Sequence, residues 1–152
     1  MISPSFPLRI HCYSAAGTFN SAVFLLNFDL YISRLMSDTF INSSKAPEPV
    51  GLYPHARRVG DLLFLSGVGP RERGTKRIPG VELNDDGEIV SYDIEAQCRS
   101  VFANVRSIVE DAGSSWERIV DVTVFLTNMK DDFPIYNRIY AEYFADNQPC
   151  RT

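Results

Sequence analysis

An apolar stripe at helical spacing is the feature that most constrains the fold of this chain. The stripe consists of Ile94, Cys98, Val101, Phe102, Val105, Ile108 and Val109. Spacing of three and four residues places all of them on one face of an α-helix, which other apolar residues must then cover. Asp93 or Ser91 is suited to cap the start of this helix, and Gly113 is suited to the left-handed position after its end.

Strand patterns lie on both sides of the predicted helix. Residues 120–126 alternate in polarity, which predicts a strand with one face in the core. The core-facing set is Val120, Val122, Val124 and Leu126. Residues 56–59 and 61–65 flank Gly60 and predict two strands joined by a tight turn. The apolar run at residues 62–65 favours a strand covered on both faces, and Phe40 with Ile41 indicates a further short strand.

A second helix is predicted near residue 131, with Asp131 or Asp132 as its cap and Pro134 in its first turn. Its inner face is formed by Tyr136, Ile139, Tyr140, Tyr143 and Phe144. The order strand, strand, helix, strand, helix predicts an α+β fold with the helices on one face of a sheet. No strand pattern follows the second helix, so we expect this domain to lack its C-terminal strands.

Residues 1–35 differ in character from the rest of the chain. Serines are frequent, Asn27 and Asp29 interrupt the longest apolar run, and no stretch of about 20 apolar residues predicts a membrane span. A serine-rich, acid-poor segment is also typical of organelle transit peptides. We expect residues 1–35 to be an extension outside the fold and residues 36–152 to form the domain. Residues 70–88 predict a long polar loop, and loops of that length are often functional.

Charge and composition exclude several classes of function. A net charge of -4 disfavours a nucleic-acid-binding protein, whose surface is usually basic. Cys12, Cys98 and Cys150 are odd in number and lack CxxC spacing, which favours reduced thiols in a cytoplasmic protein. His11 and His55 lie far apart in sequence, so no metal site is predicted. Motifs for cofactor phosphates are absent from the sequence, and we expect neither a cofactor nor a membrane partner.

Four short motifs match one known family in the correct order. The turn at residues 51–56 is similar to that family's Gly-Pro-Tyr-Ser-Gln-Ala, and residues 65–67 are similar to the end of its Ser-Gly-Gln strand. Residues 133–144 resemble its Phe-x-x-x-Asn-x-x-Tyr-x-x-x-Phe helix, and residues 149–152 resemble its Pro-x-Arg-x segment. Two residues of the first helix also match, namely Gln97 and Asn104. Over about residues 45–152, the chain resembles the Rid (reactive intermediate deaminase, YjgF-like) family.

This resemblance implies a chorismate-mutase-like sheet with two helices on one face, assembled as a homotrimer with active sites between subunits. It also implies a cofactor-independent hydrolase of C–N bonds that converts enamines and imines of 2-keto acids to the keto acid and ammonia. By motif matching, Arg151 binds the substrate carboxylate, with Tyr53 and Asn137 as further catalytic residues. Ser66 and Gly67 are the matching substrate-binding residues. The family's water-handling glutamate follows the last motif, so that role is not assigned.

The chain also departs from the family pattern. Pro54 and His55 replace its Ser-Gln pair, and Val68 replaces the Gln that follows Ser-Gly. The long loop looks like that of the 2-aminomuconate deaminase branch, whose substrate is an unsaturated enamine with two carboxylates. Arg71 and Arg73 of this loop are then expected to bind the second carboxylate, because arginine pairs bidentately with planar anions.

Structural roles compete with each assignment. Tyr53 is equally suited to packing on the sheet, Ser66 to closing a strand end, and Asn137 to bonding a neighbouring loop. His55 is suited to a structural hydrogen bond, and the loop arginines are suited to a solvated surface. For the whole protein, the alternatives to a deaminase are a non-catalytic ligand-binding or regulatory trimer and an inactive truncated copy.

Overall fold

The computed structural model describes the backbone of residues 8–15 and the complete residues 39–152. Within these ranges the elements, in chain order, are β1 (Leu8–Ala15), β2 (Thr39–Ile41), β3 (Ala56–Val59), β4 (Leu62–Leu65), β5 (Val81–Leu83), β6 (Ile89–Tyr92), α1 (Ile94–Asp111), a 3-10 helix (Trp116–Arg118), β7 (Ile119–Leu126), α2 (Met129–Phe144) and β8 (Cys150–Arg151). The helices within these ranges do not combine the length and hydropathy that a membrane-spanning segment needs.

The described strands form one large sheet and one hairpin. The large sheet has the order β2-β3-β4-β1-β7-β8, and the hairpin pairs β5 with β6. Neighbours in the large sheet are antiparallel, except that β7 and β8 run parallel. Both α1 and α2 contribute to the same core as the inner residues of β4 and β7, so they cover one face of the sheet. The α+β fold with two helices on one face is therefore confirmed for the described residues.

The N-terminal strand β1 corrects the prediction that residues 1–35 lie outside the fold. Its backbone pairs with β4 on one side and with β7 on the other. Tyr13, for example, is opposite Phe64 of β4 and Asp121 of β7. A strand with neighbours on both sides occupies the interior of a sheet rather than its edge. The polarity of residues 8–15 did not reveal this, because serine and charge interrupt the segment. The other positions in residues 1–35 lie outside the described residues.

Helix α1 begins and ends where its sequence predicts. The Asp93 carboxylate accepts hydrogen bonds from the amides of Glu95 at 2.9 Å and Ala96 at 3.2 Å, which identifies Asp93 as the N-cap. The other candidate, Ser91, instead donates to a carboxylate of β5. Gly113 has a φ of 73°, the left-handed conformation expected just after a helix.

The two helices join the sheet through an aromatic core. Phe102 of α1 packs edge-on against Trp116 at 5.8 Å and against Phe144 of α2 at 5.6 Å between ring centroids. The indole N–H of Trp116 donates to the carbonyl of Tyr143 at 2.8 Å. This bond satisfies the polar atom of a buried tryptophan, so the ring can sit in the core without loss of a hydrogen bond.

Strand β7 carries a β-bulge that shifts the predicted alternation at its start. In the pairing with β1, Tyr13 is opposite Asp121 and the next residue, Ser14, is opposite Ile119. Val120 is therefore skipped in the register. Ile119 is therefore 1% exposed, whereas Val120, predicted to face the core, is 47% exposed. After the bulge the prediction holds, since Val122 is fully buried. One extra residue in a strand reverses the face of every side chain on one side of it.

Four other predictions are corrected. The predicted loop at residues 70–88 contains β5 and leads into the β5–β6 hairpin. Helix α2 begins at Met129 with Asn128 as its N-cap, so the two predicted caps lie inside its first turn and Pro134 lies beyond that turn. A short strand, β8, does follow α2. One face of β4 is exposed, because Phe64 is 40% exposed while Leu63 is fully buried.

Candidate functional site

A small cavity lies between the end of β4 and the segment at residues 46–49. Its volume is about 50 Å³. It is lined by four of the predicted site residues, Tyr53, Ser66, Gly67 and Arg71, together with Ala46, Pro47, Glu48, Pro49, His55, Val68, Gly69 and Ile108. Since a cavity of this volume admits a few water-sized groups, it can hold one end of a small acid rather than a whole six-carbon substrate.

His55 lines this cavity and hydrogen-bonds to the backbone of the neighbouring segment. The residue is 7% exposed, and its Nδ1 accepts from the Ser43 amide at 2.9 Å while its Nε2 lies 2.7 Å from the carbonyl oxygen of Pro47. An acceptor Nδ1 and a donor Nε2 define a neutral imidazole. Both ring nitrogens are thus occupied by the backbone of residues 43–47. The structure places His55 at the site in the structural role that the sequence left open.

Ser66 and Tyr53 are also bonded to nearby backbone. The Ser66 hydroxyl donates to the carbonyl of Pro54 at 2.6 Å, and its amide donates to the carbonyl of His55 at 2.9 Å. The Tyr53 hydroxyl accepts from the Val50 amide at 3.3 Å, which uses an oxygen lone pair and not the hydroxyl proton. Tyr53 is 37% exposed and lines the cavity, so its hydroxyl is the better placed of the two to meet a ligand.

The loop arginines hydrogen-bond to the segment at residues 46–48, which forms part of the cavity wall. Arg71 donates to the backbone carbonyl of Glu48 at 2.6 Å, and Arg73 donates to the carbonyl of Ala46 at 2.6 Å. A second nitrogen of Arg73 lies 3.0 Å from the Glu48 carboxylate. The pKa of Glu48 is lowered by a hydrogen bond from its own backbone amide and then by the charge of Arg73. Arg71 reaches the cavity directly, whereas Arg73 reaches its rim through Glu48.

Two side chains of helix α1 hydrogen-bond to the backbone at residues 69–71, where the loop begins. The side-chain amide of Asn104 donates to the carbonyls of Gly69 and Arg71, both at 3.0 Å, and Ser100 donates to the carbonyl of Pro70 at 2.8 Å. Asn104 belongs to the matching motifs, but the sequence did not indicate what it bonds. Glu48 was missed altogether, although one signal was present: it is an isolated acid between two prolines, upstream of a basic loop.

Arg151 and Asn137 form a second cluster, on α2 and β8. A guanidinium nitrogen of Arg151 donates to the side-chain oxygen of Asn137 at 2.7 Å. The guanidinium carbon lies 4.7 Å from the ring centroid of Tyr140 and 5.7 Å from that of Tyr136, so two aromatic rings support the cation. Arg151 remains exposed at the surface. Because a guanidinium has five N–H donors in a planar fork, this arrangement can still accept a carboxylate.

Arg151 and Asn137 do not line the cavity of the same chain. β8, which carries Arg151, and β4, which ends next to Ser66, are separated in the sheet by β1 and β7. Three steps of roughly 4.8 Å place their backbones about 14 Å apart. The structure therefore brings together Tyr53, Ser66, Gly67 and Arg71 as one group, with Arg73 at its rim, and Arg151 with Asn137 as another.

Of the two free cysteines within residues 39–152, Cys98 is buried and Cys150, next to Arg151, is exposed. Cys98 is fully buried, and burial raises the pKa of its thiol to about 12, which keeps it protonated. No group of three or more His, Cys, Asp or Glu side chains in the described ranges is arranged to hold a metal ion.

Comparison with known proteins identifies close relatives. The Ribonuc_L-PSP family, described as Endoribonuclease L-PSP, matches residues 43–152. A RutC family protein of Pyrococcus horikoshii is 39% identical over 111 residues, covering 73% of this chain and 79% of the relative. A 2-iminobutanoate/2-iminopropanoate deaminase of Dermatophagoides farinae is 30% identical over 113 residues, covering 74% and 78% of the two chains. The crystal structure of E. coli TdcF with bound serine superposes with a TM-score of 0.63 at 30% identity, covering 75% of this chain and 82% of TdcF.

Proposed function

Because this chain belongs to the Ribonuc_L-PSP family, which includes the Rid and YjgF-like proteins, we propose that it is a cofactor-independent deaminase of imines and enamines derived from 2-keto acids. The deaminase name of the D. farinae relative supports an imine substrate. The serine bound to TdcF supports a small ligand that carries a carboxylate. The products of the proposed reaction are the 2-keto acid and ammonia.

The geometry of Arg151 is the observation that carries this proposal. Its guanidinium is oriented by Asn137 and by two tyrosine rings, yet it stays exposed. Such a pre-oriented fork can bind the planar carboxylate of a 2-imino acid through two parallel hydrogen bonds. Holding the carboxylate fixes the position of the adjacent imine carbon, and positioning of this kind supplies a large part of catalytic rate enhancement.

The reaction needs little beyond positioning and proton transfer. An enamine takes up a proton at carbon and becomes an iminium ion, and water then adds to the iminium carbon and gives up a proton. Transfer of a proton to nitrogen and cleavage of the C–N bond release ammonia and leave the keto acid. Tyr53 is our candidate to donate a hydrogen bond to the reacting group, because its hydroxyl proton is not used in its bond to Val50. Ser66 and Gly67 shape the cavity beside it.

We further propose that the complete site forms between copies of the chain in a homotrimer. Arg151 does not line the cavity of its own subunit, and the strands that carry the two groups are about 14 Å apart by strand spacing, so we propose that an Arg151 from a neighbouring subunit lies beside each cavity. The sheet face opposite the helices offers an interface. It exposes the apolar residues Phe40, Leu62, Phe64, Val120 and Phe125. Exposed apolar faces of this kind usually mark protein–protein contacts.

Because the loop arginines offer a site for a second carboxylate, we propose 2-aminomuconate as the physiological substrate. It has the reacting enamine at one end and a second carboxylate at the other. In this proposal Arg151 binds the first carboxylate, while Arg71 and Arg73 bind the second at the cavity rim. The loop is fixed to α1 through Asn104 and Ser100, which gives these arginines a defined position.

Substitution of Arg151 tests the proposed function. 2-Aminoacrylate and 2-aminomuconate are generated enzymatically, and ammonia release is measured for the wild type, Arg151→Ala and Arg151→Lys. We expect kcat/KM to fall about 100-fold or more for alanine and about tenfold for lysine, because lysine keeps the charge but lacks the planar fork. Arg118→Ala, which removes an exposed arginine from the 3-10 helix, is the control and should retain full activity.

Unchanged turnover in Arg151→Ala would refute the role of the arginine in the site. A wild-type protein that binds pyruvate but releases no ammonia from either substrate would instead favour a ligand-binding or regulatory function. Sedimentation of the same samples reports whether the active species is a trimer.

A further inference from the structure

Glu48 is a carboxylate placed where a ligand carboxylate would bind. It lines the cavity, and its Oε1 lies 3.0 Å from Nη2 of Arg73. Tyr53 and Arg71 line the same cavity. Because arginine binds a side-chain carboxylate and a substrate carboxylate through the same geometry, Glu48 shows where a second anion fits this rim.

The arginines are anchored independently of the Glu48 carboxylate. Arg73 uses Nη1 for the carbonyl of Ala46 and Nη2 for Glu48, so the two contacts are made by different nitrogens. Arg71 bonds to the backbone carbonyl of Glu48 and not to its side chain. Removal of the carboxylate therefore leaves both guanidiniums fastened to the segment at residues 46–48. An anion that took its place would meet a preformed donor.

The ion pair is also loose enough to be exchanged. The side chains of Glu48 and Arg73 are 58% and 42% exposed, respectively. Exposed pairs contribute little net stability, since water solvates both charges when they separate. A ligand carboxylate that is already tied to the site at its other end has a high local concentration at Arg73, which favours the exchange.

We propose that Glu48 is a specificity-determining residue that competes with the distal carboxylate of a dicarboxylate substrate for Arg73. This inference rests on the proposed function, because it assumes that a 2-keto-acid derivative occupies the site. A monocarboxylate leaves the Glu48–Arg73 pair intact. A dicarboxylate displaces Glu48 into solvent and takes its position. The identity of residue 48 then sets the preference between the two classes of acid.

Two matched changes, one in the ligand and one in the protein, test this role. The ligands are 2-oxoadipate and 2-oxohexanoate, which share a six-carbon 2-oxo acid skeleton and differ in the distal carboxylate. The protein variants are Glu48→Gln and Glu72→Gln. Glu72 pairs with Arg77 in the same loop at 3.9 Å and does not line the cavity, so its substitution removes the same charge without freeing Arg73.

Binding is measured by calorimetry on the assembled protein at low and high salt. We expect Glu48→Gln to strengthen 2-oxoadipate binding about three- to tenfold and to leave 2-oxohexanoate binding unchanged. The gain should shrink with added salt, because the site is partly exposed. Arg73→Gln should weaken binding of 2-oxoadipate selectively. Glu72→Gln should change neither affinity by more than about 1.5-fold, as expected for a surface substitution.

Three outcomes overturn the inference: equal effects of Glu48→Gln on both ligands, equal effects of Glu48→Gln and Glu72→Gln, or no binding of 2-oxoadipate to either the wild type or Glu48→Gln. These outcomes are separate from a failure of the proposed function, because neither 2-oxo acid contains a bond to be hydrolysed. Selectivity set by residue 48 without any ammonia release from imines would support the anion site and reject the deaminase. Ammonia release together with ligand selectivity that does not depend on residue 48 would support the deaminase and reject the role of Glu48.

Discussion

Around the cavity, Arg71 and Arg73 bind backbone carbonyls of residues 46–48, whereas Arg151 is held by side chains of α2 and remains exposed. His55 strengthens the contrast, because both of its ring nitrogens bond to the cavity wall. In the first region polar side chains build the shape of a pocket. In the second region a small number of contacts orient one charge and leave it open to a ligand. Arginine thus holds two backbone segments together in one place and is itself only oriented by its neighbours in the other.

Strand β1 joins these two regions, so breaking it should have the largest effect. Tyr13 pairs with Phe64 of β4 and with Asp121 of β7. In Tyr13→Pro the backbone N–H is lost from an interior strand, and we expect the free energy of unfolding to fall by about 3 kcal/mol or more. Urea melts measure this loss, with Tyr13→Ala as the control that retains the backbone amide.

A proline variant as stable as the alanine variant would show that β1 contributes nothing to the sheet. The expectation that residues 1–35 stand apart from the domain would then be right after all.

We expect removal of a polar side chain in the cavity wall to lower mainly stability, and removal of one beside Arg151 to lower mainly ligand binding. His55→Leu leaves the Ser43 amide and the Pro47 carbonyl without their buried partner, and we expect a loss of about 2–4 kcal/mol of stability. Asn137→Ala should cost less than about 1 kcal/mol, because its contact with Arg151 is exposed. Urea melts give both values, and calorimetry with pyruvate should show at least fivefold weaker binding for Asn137→Ala.

His55→Gln is the matched variant for the cavity wall, since glutamine keeps one donor and one acceptor, and it should lose less stability than leucine does. Equal destabilisation by Asn137→Ala and His55→Leu would contradict the distinction between His55, which holds the cavity wall, and Asn137, which orients Arg151.

The smallest expected effect is the pH dependence of the stability that the Asp111 carboxyl contributes next to the cavity region. Asp111 accepts from the Ser43 hydroxyl at 2.8 Å and lies 3.2 Å from the Lys45 ammonium, and these contacts lower the pKa of its carboxyl. A carboxyl whose pKa falls on folding stabilises the protein above its unfolded pKa of about 3.9, and this contribution is lost as the pH drops through the folded value. Asp111→Asn should therefore be less stable than the wild type at pH 7.

The difference between Asp111→Asn and the wild type should narrow as the pH falls below about 4, because the wild-type carboxyl then becomes neutral as well. Urea melts at pH 7 and pH 3 measure both gaps, with Asp85→Asn in the turn between β5 and β6 as the control. A gap that stays constant across this range would show that Asp111 acts through its shape and not through its charge.

The local features of α1 were predictable, whereas the start of α2 was placed too late in the chain. The N-cap at Asp93, the left-handed Gly113 and the apolar stripe of α1 each depend on residues a few positions apart. The bulge in β7 was not predictable from the strand itself, because it is defined by the register with β1. The same holds for the hairpin at β5 and β6, which the loop composition concealed.

The candidate site divides in the same way. Tyr53, Ser66, Asn137 and Arg151 were identified from short motifs, and the structure places each beside groups that give it a defined geometry. Motifs do not state distance, however, so the separation of Arg151 from the cavity emerged only from the strand order. Glu48 was overlooked because its partner Arg73 lies far along the chain and is brought near by folding.

The amino-acid sequence by itself determined the α+β class, the two helices, the strands on either side of α1 and the kinds of side chain available to bind an acid. These follow from hydrophobic periodicity and capping, which act over a few neighbouring residues. Tertiary structure alone decided that residues 8–15 enter the sheet, that Val120 faces outward and that the loop arginines meet the segment at residues 46–48. Those outcomes depend on which distant segments become neighbours in the sheet, and local residue spacing does not specify that.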